Sequence, residues 1–228
     1  MTPWEQFLTP EDKAIIDRGK WAGRIGFGAR PAVVVIDMQN YMVGPRKGDD
    51  SRYPYSCGVA GWRSVDAGKD IIKSARKANA PVFYTRFVLD PSGLDGGIFA
   101  RKVRLGGGDY TFLKGTHGAE IIDDIAPQPT DLVIDKKKAS AFFGTALQSF
   151  LVERGIDTLI VIGGSTSNCV RATVVDGAQL NYRVVVPQEA VFDRLPFSHA
   201  AALFDLDRTF ADVLTVQEVL TYLARLSG

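Results

Sequence analysis

The sequence has little cysteine, little histidine, almost no net charge and no long apolar run, and each shortage excludes a class of protein. Its two cysteines, Cys57 and Cys169, lie far apart and cannot build a disulfide framework. Its two histidines, His117 and His199, form no His-x-x-x-His pair. The sequence therefore predicts no metal site and assigns both rings to loop or helix-end hydrogen bonds. With 27 basic and 26 acidic residues and a net charge of +1, there is no basic surplus for nucleic acid and no charge block for a tail. No apolar stretch approaches the roughly 18 residues of a membrane span. The opening MTPWEQFLTPEDK has no cationic segment followed by an apolar one and does not read as a signal peptide. These absences predict a cytoplasmic setting, reducing enough for a free thiol to survive.

What is present is an ordinary globular mix, 46% hydrophobic and 23% charged, enough for one α/β domain over residues 1–228. Ala32–Asp37 (AVVVID) is an unbroken, largely β-branched run, the pattern of a strand buried on both faces. Further strands are expected at Pro81–Thr85, Leu132–Asp135, Thr158–Ile162, Arg183–Val186 and Asp212–Leu214. Between them come helical stripes. One runs over residues 64–79. Another carries Leu147, Phe150 and Leu151, with Gly155 as its stop. A last helix opens on the capping box Thr215-Val216-Gln217-Glu218. The alternation predicts a three-layer α/β/α sandwich around a six-stranded, mainly parallel sheet. Two stretches break it. Residues 1–31 form an arm whose Trp4, Phe7, Trp21 and Phe27 predict packing on this domain or a neighbouring subunit. Residues 88–118 form a glycine-rich insert with Phe99, Tyr110 and Phe112, the mark of a functional loop.

Ligands of open α/β sheets bind beyond the carboxyl ends of the strands. Asp37 closes AVVVID, Lys136 follows LVID, and Cys169 lies just past LIVIGG. An acid, an amine and a thiol thus converge on one end of the predicted sheet. Each also has a plain reading. Cys169 alone reads as a small buried hydrophobe, Asp37 as a turn residue, and Lys136 as part of a solvated lysine run. Together they offer chemistry. A free thiol ionises near ~8.5, and a helix N-terminus and an ammonium both favour the thiolate. Asp37 is placed to take the thiol proton and pass it to departing ammonia. Free N–H groups at the helix start suit an oxyanion, and Gly164 permits the backbone that such a turn needs. Cys57, in PYSCG, reads as a small semi-buried residue.

Three segments resemble the cysteine hydrolases of the isochorismatase-like superfamily: AVVVIDMQ, DKKKASAFFGTAL and GGSTSNCVRATVVDGAQLNYRVVVPQEAVFDR. RIGFGARPAVVVID and FDLDRTFADVLTVQEVLTYL extend the resemblance over nearly the whole chain from Arg24. It implies a catalytic triad of Asp37, Lys136 and Cys169, with Lys136 selected because it stands four residues before Ser140. RIGFGARPA, KKKASAFFGT, CVRATVVDG and EAVFDR are most similar to the subgroup acting on N-carbamoylsarcosine, with the maleamate subgroup next, so an N-carbamoylsarcosine-type substrate is expected and maleamate or a related amide acid is the alternative. That likeness implies hydrolysis of a terminal amide or ureido C–N bond in a small carboxylate substrate, with no cofactor. It also implies a cis peptide at Gly164-Ser165 and an oxyanion hole from the backbone of Gly164, Ser165 and Cys169. Ser165 and Arg194 would contact substrate, with the Arg194 guanidinium on its carboxylate. An ion pair with Asp193 or Glu189 is the alternative for Arg194, and Arg86 and Arg101 are lesser anion-binding candidates. Family members form homodimers or homotetramers. Cys169 argues against isochorismatases proper, which lack that thiol, and the scattered histidines argue against metal-binding nicotinamidases. GGSTSN does not match the G-x-G-x-x-G of a nucleotide-binding fold. A catalytically silent binding member is the other competing reading.

Overall fold

The computed structural model describes residues 2–48, 51–103 and 109–227. Its core is a parallel sheet of seven strands: β1 (Pro31–Ile36), β2 (Val82–Phe87), β3 (Leu132–Lys136), β4 (Thr158–Gly164), β5 (Arg183–Pro187), β6 (Val191–Phe192) and β7 (Asp212–Leu214). The order is β3-β2-β1-β4-β5-β7, with β6 pairing β4 beyond the reach of β5. The sequence predicts six strands. The seventh is β6, whose two residues are too short to carry a periodicity.

β1 and β4 lie at the centre and are buried throughout, which is why they read as unbroken apolar runs. Alternation along β1 separates two cores. Val33 and Val35 face α3 (Gly58–Lys77), which follows the single turn α2 (Asn40–Val43), and α8 (Val216–Leu226). Val34 and Ile36 face the side packed by α5 (Leu147–Glu153), α6 (Arg171–Gln179) and α7 (Pro196–Thr209). The chain leaves β1 toward β2 and β3 on one flank and fills β5 and β7 on the other. The topological switch therefore falls between the carboxyl ends of β1 and β4, where Ile36 pairs Gly163.

The arm packs on its own domain. Its helix α1 (Pro10–Gly19) starts on the capping box Thr9–Asp12 and buries no residue. Anchoring falls to its flanks. Trp4 packs at 6.2 Å from the Phe204 ring, and Phe27 stacks on Tyr222 at 3.9 Å. The buried Asp212 carboxylate accepts the N–H groups of Ile25 and Gly26, and Asp157 accepts those of Ala29 and Arg30. The 88–118 insert is more ordered than its glycines suggest. It contains a helix, α4 (Gly97–Val103), and pairs Leu89 with Leu113 in an isolated bridge. Its residues 104–108 lie outside the described residues. Among the described residues no helix is long and apolar enough to cross a membrane.

Replacing Asp212 with alanine strips two arm N–H groups of a charged acceptor. Unfolding free energy should fall by about 2 kcal/mol, read as a lower urea midpoint with an unchanged m-value.

Candidate active site

Asp37 follows β1 directly and turns out of the strand with φ of 48°, a left-handed conformation uncommon outside glycine. Thr85 of β2 fixes it there. The Thr85 carbonyl accepts the Asp37 N–H at 3.2 Å, and the Thr85 hydroxyl donates to Asp37 Oδ1 at 2.7 Å. Lys136 ends β3, and its ammonium lies 5.2 Å from the Phe87 ring centroid. Nζ is 2.7 Å from Asp37 Oδ2, 3.0 Å from the Lys138 carbonyl oxygen and 3.4 Å from Cys169 Sγ. The Asp37 and Lys136 side chains are fully buried. Oδ2 contacts the ammonium, and the carboxylate also reaches the Cys169 thiol.

Cys169 arrives from β4 through a passage that tolerates no side chain. At Gly163, with φ of 110°, a Cβ would lie 2.1 Å from the Ile36 carbonyl oxygen; at Gly164 it would lie 2.5 Å from the Phe192 ring. The Gly164–Ser165 peptide is cis. A π-helical turn, Thr166–Val170, carries Cys169 and runs straight into α6. Neighbours brace this turn on three sides. The Ser165 carbonyl accepts the N–H groups of Asn168 and Val170. Thr166 Oγ1 bonds His199 Nδ1 of α7 at 2.9 Å. Thr173 Oγ1 donates to the Cys169 carbonyl and accepts the Ala141 N–H, tying the Ser140 segment to the Cys169 turn. Asp193 closes the third side: Oδ2 accepts the Ser167 N–H and Oδ1 the Arg194 N–H, both at 2.8 Å.

The sequence predicts a thiolate at Cys169, and here the structure corrects it. Burial pushes the thiol up to about 12; Lys136 pulls it down, while the charge and hydrogen bonding of Asp37 add to the rise. The helix-end and ammonium effects are outweighed because the sulfur is almost wholly removed from water. Burial opposes the charge on Lys136, but Asp37 and Cys169 together hold that ammonium above its ordinary range. Burial thus favours the protonated thiol, while the charge of Asp37 favours the ammonium of Lys136.

In front of the sulfur lies a cavity of about 240 Å³. Ser165, Asn168 and Cys169 form one wall, Arg194 stands at its rim, and the remaining wall is Met42 and five aromatic rings. The Arg194 Nε donates to the Tyr55 carbonyl at 2.6 Å. Among the described residues Arg194 is in no ion pair: Asp193 is taken up by backbone, and Glu189 accepts the Val216 N–H. Arg86 is not placed to hold a ligand, because its guanidinium is paired with Asp135 at 2.7 Å and with Glu120 at 3.2 Å. Arg101 sits exposed on α4 and does not line the cavity, and neither does Gly164. Cys57 is a partly buried free thiol at the start of α3, pushed up to about 11 by burial. Among the described residues no three His, Cys, Asp or Glu side chains gather as a metal site would require.

The family model of the isochorismatase domain matches residues 31–218. The chain belongs to the isochorismatase family. It is 35% identical over 213 residues to the maleamate amidohydrolase of Pseudomonas putida, covering 92% of this chain and 95% of that protein. It is 37% identical over 206 residues to the N-carbamoylsarcosine amidase of an Arthrobacter species, covering 88% and 74%. The crystal structure of a cysteine hydrolase from Pseudomonas syringae superposes with a TM-score of 0.76 at 25% identity, covering 87% and 94%. The isochorismatase match contains Asp37, Lys136, Cys169 and Arg194, which this fold brings to one end of one sheet.

Several residues at this isochorismatase-family site escaped the sequence reading. Thr85 closes the strand predicted at Pro81–Thr85 and stood in plain view, but nothing in the pattern paired it with Asp37. Asn168 precedes the thiol and was visible only as part of the turn. Tyr41 and Tyr55 carried no signal, because their segment between β1 and α3 has no period.

With Cys57 replaced by serine, iodoacetamide should alkylate Cys169 at a rate that climbs steadily from pH 7 to pH 10. Only the thiolate reacts, and a raised thiol gains it late. A plateau below pH 8 would show a thiol already ionised in the free enzyme.

Proposed function

We propose that the protein hydrolyses the terminal C–N bond of a small amide or ureido acid, with Cys169 as nucleophile and no cofactor. The observation that carries this reading is the ammonium of Lys136, 2.7 Å from Asp37 and 3.4 Å from the sulfur, behind a cavity with Arg194 at its rim. Relatives bearing the names maleamate amidohydrolase and N-carbamoylsarcosine amidase support the reaction class.

In this reading substrate binding expels water and sets its carboxylate against the Arg194 guanidinium, a fork suited to that group. Tyr55 aims the fork by accepting its Nε–H. The reactive carbonyl lies over Cys169. Asp37, already against the thiol, takes its proton as sulfur attacks the carbon. Lys136 keeps the charge of the exchanging pair balanced. Backbone N–H groups near Ser165 and Cys169 hold the tetrahedral oxyanion, in a dry site where such donors act strongly. Collapse breaks the C–N bond, and Asp37 returns the proton to the departing ammonia. Water, deprotonated by Asp37, then cleaves the thioester and restores the thiol. A ureido substrate would leave as a carbamate and lose carbon dioxide.

Competing with this is a silent binding member of the fold. A carboxylate and an ammonium set against a buried thiol at the back of a cavity favour chemistry, since a purely structural ion pair needs neither the thiol nor the cavity.

Ammonia release from maleamate and N-carbamoylsarcosine provides the assay. Cys169→Ala and Asp37→Asn should each lower kcat at least about 1,000-fold, the cysteine variant with its stability kept and the asparagine variant with a lower urea midpoint. Arg194→Ala should raise KM about tenfold or more and leave kcat within a few-fold. Unchanged KM and kcat in that variant would remove Arg194 from the carboxylate.

A further inference from the structure

The wall facing the nucleophile is built almost wholly from rings. Tyr41, Tyr55, Phe87, Phe99 and Phe112 line it. Neighbouring rings stand edge to face: Tyr41 and Phe112 at 5.0 Å and 72°, Phe87 and Phe112 at 5.0 Å and 69°, Phe87 and Phe99 at 5.2 Å and 66°. Such contacts fix ring orientations, so the wall is a preformed surface with little side-chain freedom left to lose on binding. The polar side chains Ser165, Asn168, Cys169 and Arg194 come from the nucleophile turn and the segment after β6. Polar chemistry is thus offered at the reacting carbonyl and at the carboxylate. Between them, apart from the Tyr41 and Tyr55 hydroxyls, the cavity offers carbon.

We propose that the substrate is an amide acid whose carbamoyl and carboxylate groups are joined by a flat, unsaturated body large enough to include a ring. This rests on the hydrolase reading above and narrows it. A saturated linker would have to give up its internal rotations on binding, and a ureido linker would set an amide-type nitrogen against ring faces that do not replace its hydration. A planar body exchanges its hydration for aromatic contact and gives up few internal rotations in doing so. The cavity of about 240 Å³ equals the liquid volume of roughly eight waters, room for a ring and not only for a two-carbon chain. Two of the five rings, Phe99 and Phe112, come from the glycine-rich insert, which makes that insert the specificity element of the site.

The test compares kcat/KM for four probes: 2-carbamoylbenzoate, maleamate, succinamate and N-carbamoylsarcosine, with Cys169→Ala as the blank for spontaneous breakdown. The expected order places 2-carbamoylbenzoate first, at least about tenfold above succinamate and N-carbamoylsarcosine, with maleamate above its saturated counterpart succinamate. Phe99→Leu keeps apolar bulk on a partly buried helix and removes only the ring. It should lower kcat/KM for 2-carbamoylbenzoate about tenfold while changing that for succinamate less than about threefold. Saturated acids hydrolysed as fast as the ring compound, or Phe99→Leu acting equally on both, would overturn this inference and leave the hydrolase reading standing. Release of ammonia from none of the four would overturn both.

Discussion

A carboxylate and an ammonium, both stripped of water, hold three strand ends together. Asp37 closes β1, Thr85 belongs to β2 and Lys136 closes β3, and one contact of 2.7 Å joins the first and last. Removing two charges from water costs several kcal/mol per ion. That cost is met only when the remaining donors and acceptors are also used. Thr85, the Lys138 carbonyl and Cys169 Sγ do this here. The same pair therefore organises the end of the sheet and supplies the charges that the proposed chemistry moves. An arrangement so committed cannot lose one partner cheaply, because the survivor would remain as an isolated buried ion.

The sulfur is governed by the same dryness. A site that excludes water raises the thiol and strengthens each electrostatic contact made inside it. In the proposed reaction the thiol gains nucleophile strength only once a carbonyl is in place and its proton has somewhere to go. This limits side reactions of a free thiol with oxidants or alkylating compounds.

The sheet was legible because its strands are buried on both faces. Runs such as AVVVID and TLIVI have no other explanation in a chain this size. The convergence of Asp37, Lys136 and Cys169 followed from strand ends alone, while choosing Lys136 among three lysines needed the family resemblance. What remained hidden depended on distance across the fold. The β6 strand exists because β4 outruns β5 and leaves Gly163 and Gly164 free to pair. Arg86 looked available because sequence does not show Asp135 and Glu120 beside it. The thiol was misjudged for a related reason. Residue order reveals the charges and the helix near a cysteine, but it does not reveal how little water reaches the sulfur.

Asp193 divides its two oxygens between two segments, one on Ser167 in the Cys169 turn and one on the backbone of Arg194. The turn that carries the sulfur and the backbone that carries the guanidinium are thereby clasped to one carboxylate. Neither can drift without dragging the other. In the proposed reaction the thiol and the backbone of Arg194 keep one spacing, so a ligand reaching both would be held to a set length.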